Sequence, residues 1–154
     1  MGAGSGSAID AAVDAPLADA RPDAGPAHAL TCSDPGVLAS TGGTVSGSTG
    51  APHGNHVTAI CAGVVQNGAD AVYAITLPVA GQLRVAISGS AALDAYVITP
   101  CAGAPATPSC LGNAIASAGN PLLVTATAGA TYYVVVDSEQ AAATGSYSVV
   151  VTRP

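Results

Sequence analysis

The sequence predicts an all-β fold, an antiparallel β-sandwich or jelly roll of about eight strands. Three observations carry that expectation. From residue 37 onward the apolar residues recur with a period of two, the spacing that puts alternate side chains on one face of a strand. The breaks between these runs are Gly, Pro, Asn and Ser, the residues of turns. No stretch repeats at the helical period for a useful length.

In chain order, GGTVSGST (42–49) and HVTAIC (56–61) are the weaker strands. AVYAITL puts Tyr73, Ile75 and Leu77 on one side, and QLRVAIS puts Leu83, Val85 and Ile87 on one side. The intervening Pro78-Val79-Ala80-Gly81 reads as a turn, so the two are expected to form a hairpin. DAYVI (94–98) and PLLVTAT (121–127) are shorter strands. TYYVVV (131–136) is apolar on both faces, as a central strand is. One of Tyr132 and Tyr133 must therefore face away from the other. GSYSVVVT closes the chain with Tyr147, Val149 and Val151 inward. Tyr73, Tyr96 and Tyr147 fall on the expected inner faces, where core packing accounts for them better than a sugar-binding platform does.

The first 30 residues differ from the rest. Residues 1–30 hold Asp10, Asp14, Asp19 and Asp23, half of the eight aspartates, among Gly, Pro and Ala. Their burial cannot offset the entropy of ordering them, so they read as a disordered acidic tether ahead of a β-domain at 31–154. The formal charge of −6, with only 3 Lys and Arg in total, excludes a basic nucleic-acid footprint. No run of apolar residues is long enough to form a transmembrane segment. No signal peptide is present in this sequence, since Met1 leads into Gly and Ser without a basic or an apolar segment.

Cysteine usage points outward. Cys32, Cys61, Cys101 and Cys110 contain no CxxC pair and no zinc pattern. Four cysteines allow three pairings, and spacing favours Cys32–Cys61 with Cys101–Cys110, the latter closing a proline-rich loop. Four buried free thiols are the alternative. Bridges imply an oxidising compartment. A secreted or outer cell-surface location is therefore expected, and with it a native start lying upstream.

Candidate chemistry is sparse. No GxSxG elbow is present, and Glu139 is the sole glutamate; no catalytic residue is expected and the chain reads as a non-enzyme. His53 and His56, separated by Gly-Asn, read as turn histidines, with a weak metal site as the alternative. Asp70, Asp94 and Asp137 each flank a strand. Asp70 and Asp137 are weak calcium candidates, against the plainer reading of strand-end carboxylates bonded to nearby backbone. Otherwise no cofactor or metal is expected. The connection 99–120, the longest in the domain, presents Leu111, Asn113 and Ile115 as a possible partner loop.

The segments DAVYAITL (70–77), GQLRV (81–85), LDAYVI (93–98), AGATYYVVVD (128–137) and GSYSV (145–149), in that order, resemble the bacterial pre-peptidase C-terminal domain. The resemblance covers roughly residues 66–152. The tether is similar to those of myxobacterial secreted proteins and lipoproteins, although no lipobox cysteine is present. The resemblance implies a secreted, non-catalytic β-sandwich appended to proteases or other hydrolases, some relatives binding calcium or polymers. Relatives with a cysteine-bracketed loop often place Asn-Asp-Asp after the second cysteine, where this chain has Leu111-Gly112-Asn113. Three functions follow as expectations: a module for adhesion, substrate binding or spacing whose partner is an extracellular protein or polysaccharide; an accessory domain of an exported hydrolase; or a structural subunit of an extracellular assembly.

Overall fold

Among the described residues, eleven strands build two stacked sheets and a small cover. The structure, a computed structural model, describes residues 1–2, 28–61, 63–101, 108–115 and 119–154, with the side chains of 109 and 113–115 left aside. Residues 3–27 of the expected 1–30 tether, and residues 102–107 and 116–118 of the 99–120 connection, lie outside the described residues. In chain order the strands are β1 (Gly36–Val37), β2 (Gly42–Ser48), β3 (Ala59–Cys61), β4 (Val64–Gln66), β5 (Ala71–Thr76) and β6 (Gly81–Gly89). There follow β7 (Asp94–Thr99), β8 (Ser109–Ile115), β9 (Leu122–Ala126), β10 (Thr131–Asp137) and β11 (Ser146–Thr152).

One sheet runs β1-β5-β10-β7-β8, the second β2-β11-β6-β9, and β3 pairs only with β4. All pairings are antiparallel except the short β1–β5 contact. The eight strands read from the sequence are all present; β1, β4 and β8 are added to them.

The main core lies between the large sheets and follows the period of two. Ala71, Tyr73 and Ile75 of β5, with Leu77 beyond its end, meet Leu83, Val85 and Ile87 of β6 and Tyr147, Val149 and Val151 of β11. Tyr73 and Tyr147 join the sheets directly. Their hydroxyls lie 2.7 Å apart, and the rings meet edge-on with centroids 6.4 Å apart, a geometry that the ring quadrupoles favour.

The expected hairpin between residues 71 and 88 is not one. β5 pairs with β1 and β10, whereas β6 pairs with β11 and β9, so Pro78–Gly81 is an arch between sheets. Two apolar faces joined by a short turn satisfy the sequence pattern equally well side by side or face to face. Burial of both faces against each other selects the second.

A second core lies on the outer face of the five-stranded sheet. Val72, Tyr96, Ile98 and Val135 point away from the main core and are covered by Val57, Ala59 and Cys61. The doubly apolar pattern of β10 thereby finds its reason: Tyr132 belongs to the main core, while Tyr133 packs on the outer cluster. Tyr96, expected inside, is in this outer cluster, because its parity on β7 matches that of Val135 across the Val135–Tyr96 register.

The cover also decides the disulfides. Cys32 bonds Cys101 and Cys61 bonds Cys110, correcting the expected Cys32–Cys61 and Cys101–Cys110 pairs. The segment carrying Cys61 folds over the sheet and meets β8, which contains Cys110. Cys110 belongs to a strand antiparallel to β7, so nearness in sequence did not predict partners. Peptide mapping of non-reduced protein is expected to recover the linked pairs Cys32–Cys101 and Cys61–Cys110. A Cys101–Cys110 peptide as the main product would contradict the fold.

Candidate functional site: a buried acid row beneath its cover

Three aspartates that are far apart in sequence line up at one end of the five-stranded sheet. Asp137 is the register partner of Asp94 across β10 and β7. Asp70 lies one residue beyond Ala71, which pairs with Val136, and so comes beside Asp137 on the other side. Strand alternation puts all three on the outer face, in phase with Val72, Tyr96 and Val135. Asp70 and Asp137 are fully buried and Asp94 is 5% exposed.

The cover, residues 54–70, closes this end. Asp70 Oδ2 accepts from the backbone N–H groups of His56 (2.7 Å) and Val57 (2.6 Å). The Asp70 N–H donates to the Gly54 carbonyl at 3.1 Å. The N–H groups of Asn67 and Gly68 donate to the Ser138 carbonyl at 2.9 and 2.8 Å. Asp137 Oδ1 accepts from the Ser138 N–H at 2.6 Å, and its Oδ2 from the Tyr96 hydroxyl at 3.1 Å. Asp70 Oδ1 and both amide atoms of the buried Gln66 have no partner among the described residues. The Gln66 amide reaches toward Asp94 without completing a hydrogen bond.

Burial shapes the acidity of every member. It pushes the Asp137 carboxyl up to about 7, its hydrogen bonds opposing the rise and the Asp70 charge adding to it. Burial also raises Asp70 against the pull of the Val57 and His56 N–H groups. It raises Asp94, with the Glu139 charge adding to the effect. The Tyr96 phenol is pushed up by burial and by the Asp137 charge beside it.

These aspartates do not fit calcium as they stand. Calcium takes six to eight oxygens converging on one point. Here Asp137 spends both oxygens on the Ser138 N–H and the Tyr96 hydroxyl, and Asp70 spends one on two N–H groups. Among the described residues no three His, Cys, Asp or Glu side chains converge as metal ligands. The His56 ring is exposed and His53 half-buried; His56 gives the row its backbone N–H, and the charges of both rings exert a lesser pull on Asp70.

Within the expected partner loop, the stretch that carries Leu111, Asn113 and Ile115 is a strand. Ser109–Ile115 pairs with β7, Asn113 opposite Tyr96 and Ile115 opposite Asp94. Leu111 is exposed. Two open clefts flank these features. One of about 590 Å³ lies against the Cys32–Cys101 bridge, Thr31, Ser33 and His56. A smaller one of about 190 Å³ is lined by Ala91, Ala92, Asp94, Ser138, Glu139 and Gln140, at the open end of the acid row. Sequence reasoning named the three aspartates but not Gln66 or Tyr96 as their companions. The one local signal was the apolar run on both faces of β7 and β10, which implies a layer on each side.

Fold and site together define a disulfide-bonded, two-sheet β-sandwich with a covered outer face. No protein-family model matches the chain, and no curated protein matches it in sequence. Solved structures do. PliG of Aeromonas hydrophila, a periplasmic inhibitor of g-type lysozyme, superposes with a TM-score of 0.53 at 14% identity, over 77% of this chain and 96% of that one. The pre-peptidase C-terminal domain of a Bacillus anthracis collagenase aligns with a TM-score of 0.49 at 14% identity, over 76% of this chain and 93% of that one. PliG of Salmonella Typhimurium aligns with a TM-score of 0.43 at 15% identity, over 77% and 99%. At these identities the likeness is one of fold: a PliG-like β-sandwich.

Proposed function

We propose that the chain is a non-catalytic, secreted or cell-surface β-sandwich module that binds an extracellular protein or polysaccharide, with residues 1–30 as its tether. The observation that supports this most is the use to which the buried acids are put. Asp70 and Asp137 are turned toward N–H groups that hold the cover down and toward the Tyr96 hydroxyl. Two disulfides suit an oxidising compartment. No helix among the described residues is long and apolar enough to cross a membrane. The Aeromonas protein of like fold is an inhibitor of g-type lysozyme, a precedent for the architecture in a role directed at a protein.

The contact face is assigned to the outer side of the cover and the neighbouring β8. Ile60 and Val65 are register partners on β3 and β4, both pointing away from the protein, and Leu111 follows the Cys61–Cys110 bridge on β8. Ile60 and Val65 form one exposed apolar pair, Leu111 is exposed beside Cys110, and the bridge fixes both elements, so presenting them costs little entropy. To test this, immobilised g-type lysozyme and insoluble peptidoglycan, chitin and cellulose are offered to the protein and to the triple variant Ile60→Ser, Val65→Ser, Leu111→Ser. Binding to one of them, lost by at least about tenfold in the folded variant, is expected, roughly the 1.4 kcal/mol that one apolar contact contributes. Binding that survives the triple change removes this face, and hydrolysis of any of the four by purified protein overturns the non-catalytic reading.

A further inference from the structure

We infer that protons held in the row of Asp70, Asp137 and Asp94 latch the 54–70 cover onto the five-stranded sheet, and that the cover lifts as the pH rises above neutrality. The inference is independent of any binding partner. It starts from the crowding of carboxyls: three stand at adjacent register positions on one buried face. Like charges directly opposite on a sheet repel, and an ionised carboxylate buried without a cation is costly.

Every group that faces the row is accounted for among the described residues. The cover contributes Gln66, which is neutral, and the backbone of His56, whose ring is exposed, with His53 half-buried nearby. β7 contributes the Tyr96 hydroxyl, and the segment after β10 contributes Ser138 and the acidic Glu139. The described arginines serve the other sheet: Arg84 lies on β6, and Arg153 donates to the Val79 carbonyl at 3.2 Å. Apart from the His53 and His56 rings, whose charge draws on Asp70 alone, no cation among the described residues acts on the carboxyls, so a proton is the neutralising charge at Asp137 and Asp94. It also adds a donor to a row in which Asp70 Oδ1 has none.

The sign follows from linkage. Asp137 has an ordinary value of 3.8, and burial brings it to about 7; Asp70 and Asp94 move in the same direction. Between about pH 4 and 7 the closed row binds more protons than the open, hydrated one. The free energy of closure is therefore greatest on the acid side and declines as pH rises through that window. Above it, the Asp70 carboxylate presses against an ionised Asp137. Asp70 ends the cover and Asp137 belongs to the sheet, so their repulsion separates these two parts. The Cys61–Cys110 bridge pins the middle of the cover, so its two ends lift about that fixed point.

The test is hydrogen exchange of the full chain at pH 5 and 8.5, normalised for intrinsic rates. Protection of the His56, Val57, Asn67 and Gly68 amides is expected to fall by at least about tenfold at the higher pH, the change that release of one proton produces across about one pH unit. Amides of β6 and β11 are expected to hold. Asp137→Asn, which keeps the shape but removes the titration, should reduce the response to below about threefold. A response confined to neither element, no response, or an unchanged response in Asp137→Asn overturns the latch. So does recovery of protection at pH 8.5 on adding calcium, which would make the row cation-held. Should the variant fail to fold, carbon-13 titration of the wild-type carboxyls decides: a midpoint near 7 for Asp137 sustains the latch, and one below 5 overturns it.

Discussion

Replacing Cys61 and Cys110 by alanine is expected to lower the unfolding free energy by roughly 4 kcal/mol and to loosen the cover first. In the chain-entropy view a bridge acts by shrinking the unfolded ensemble, and the loop it closes sets the size of the effect. The Cys61–Cys110 and Cys32–Cys101 bridges close separations of 49 and 69 residues. On loop length alone they differ by only about 0.3 kcal/mol, the longer loop being the more stabilising. Packing reverses the order. Cys61 is fully buried in the outer cluster, while Cys32 and Cys101 pack at its edge. Removing Cys61–Cys110 therefore also cuts the cross-link that ties the β3–β4 pair to β8 of the large sheet, leaving only the main chain into β5. Denaturation of the two double variants at one pH, with exchange at the Val57 amide, makes the comparison. Equal losses in stability and protection would show that the bridges act through the unfolded chain alone.

Gly89→Ala is expected to cost about 4 kcal/mol or more, or to prevent folding, on the order of the largest single-residue effects. Gly89 ends β6 with φ at +130°, a conformation open to glycine and strongly resisted by other residues. A Cβ there would stand 2.2 Å from the Ser146 carbonyl oxygen and 2.8 Å from the Tyr147 Cα, both backbone atoms of the paired strand. Neither can yield without shifting β11, whose Tyr147 carries the hydroxyl contact between the sheets. Gly129→Ala is the control. Its φ is also positive, at +76°, but nothing lies within 4 Å of the added carbon, so only the left-handed penalty of about 1–2 kcal/mol remains. Thermal unfolding of both variants separates collision from conformation. Similar shifts in Tm would refute the collision.

The acid row shows how much of a site a sequence can display without assembling it. Asp70, Asp94 and Asp137 stood out as strand-flanking carboxylates, and the reading that they bond nearby backbone holds for Asp70 and Asp137. Their scatter was misleading, because register makes neighbours of positions 43 residues apart, from Asp94 to Asp137. Gln66 and Tyr96 were not legible as companions. A buried amide on a three-residue strand and a tyrosine in an apolar run carry no mark of the layer that covers them.

The sequence by itself determined the β-class, the alternation of β5, β6 and β11, the inward sets such as Leu83, Val85 and Ile87, and the central place of β10. These follow from the period of a single strand, which is a local property. The tertiary structure decided that Pro78–Gly81 is an arch, that Tyr96 faces outward, that Cys61 meets Cys110, and that three carboxyls share one buried end. Each depends on which strand lies beside or above another, and that choice is made by burying both faces of the five-stranded sheet at once. The two-residue period is the same whether a face meets the opposite sheet or a cover, so only packing could tell them apart.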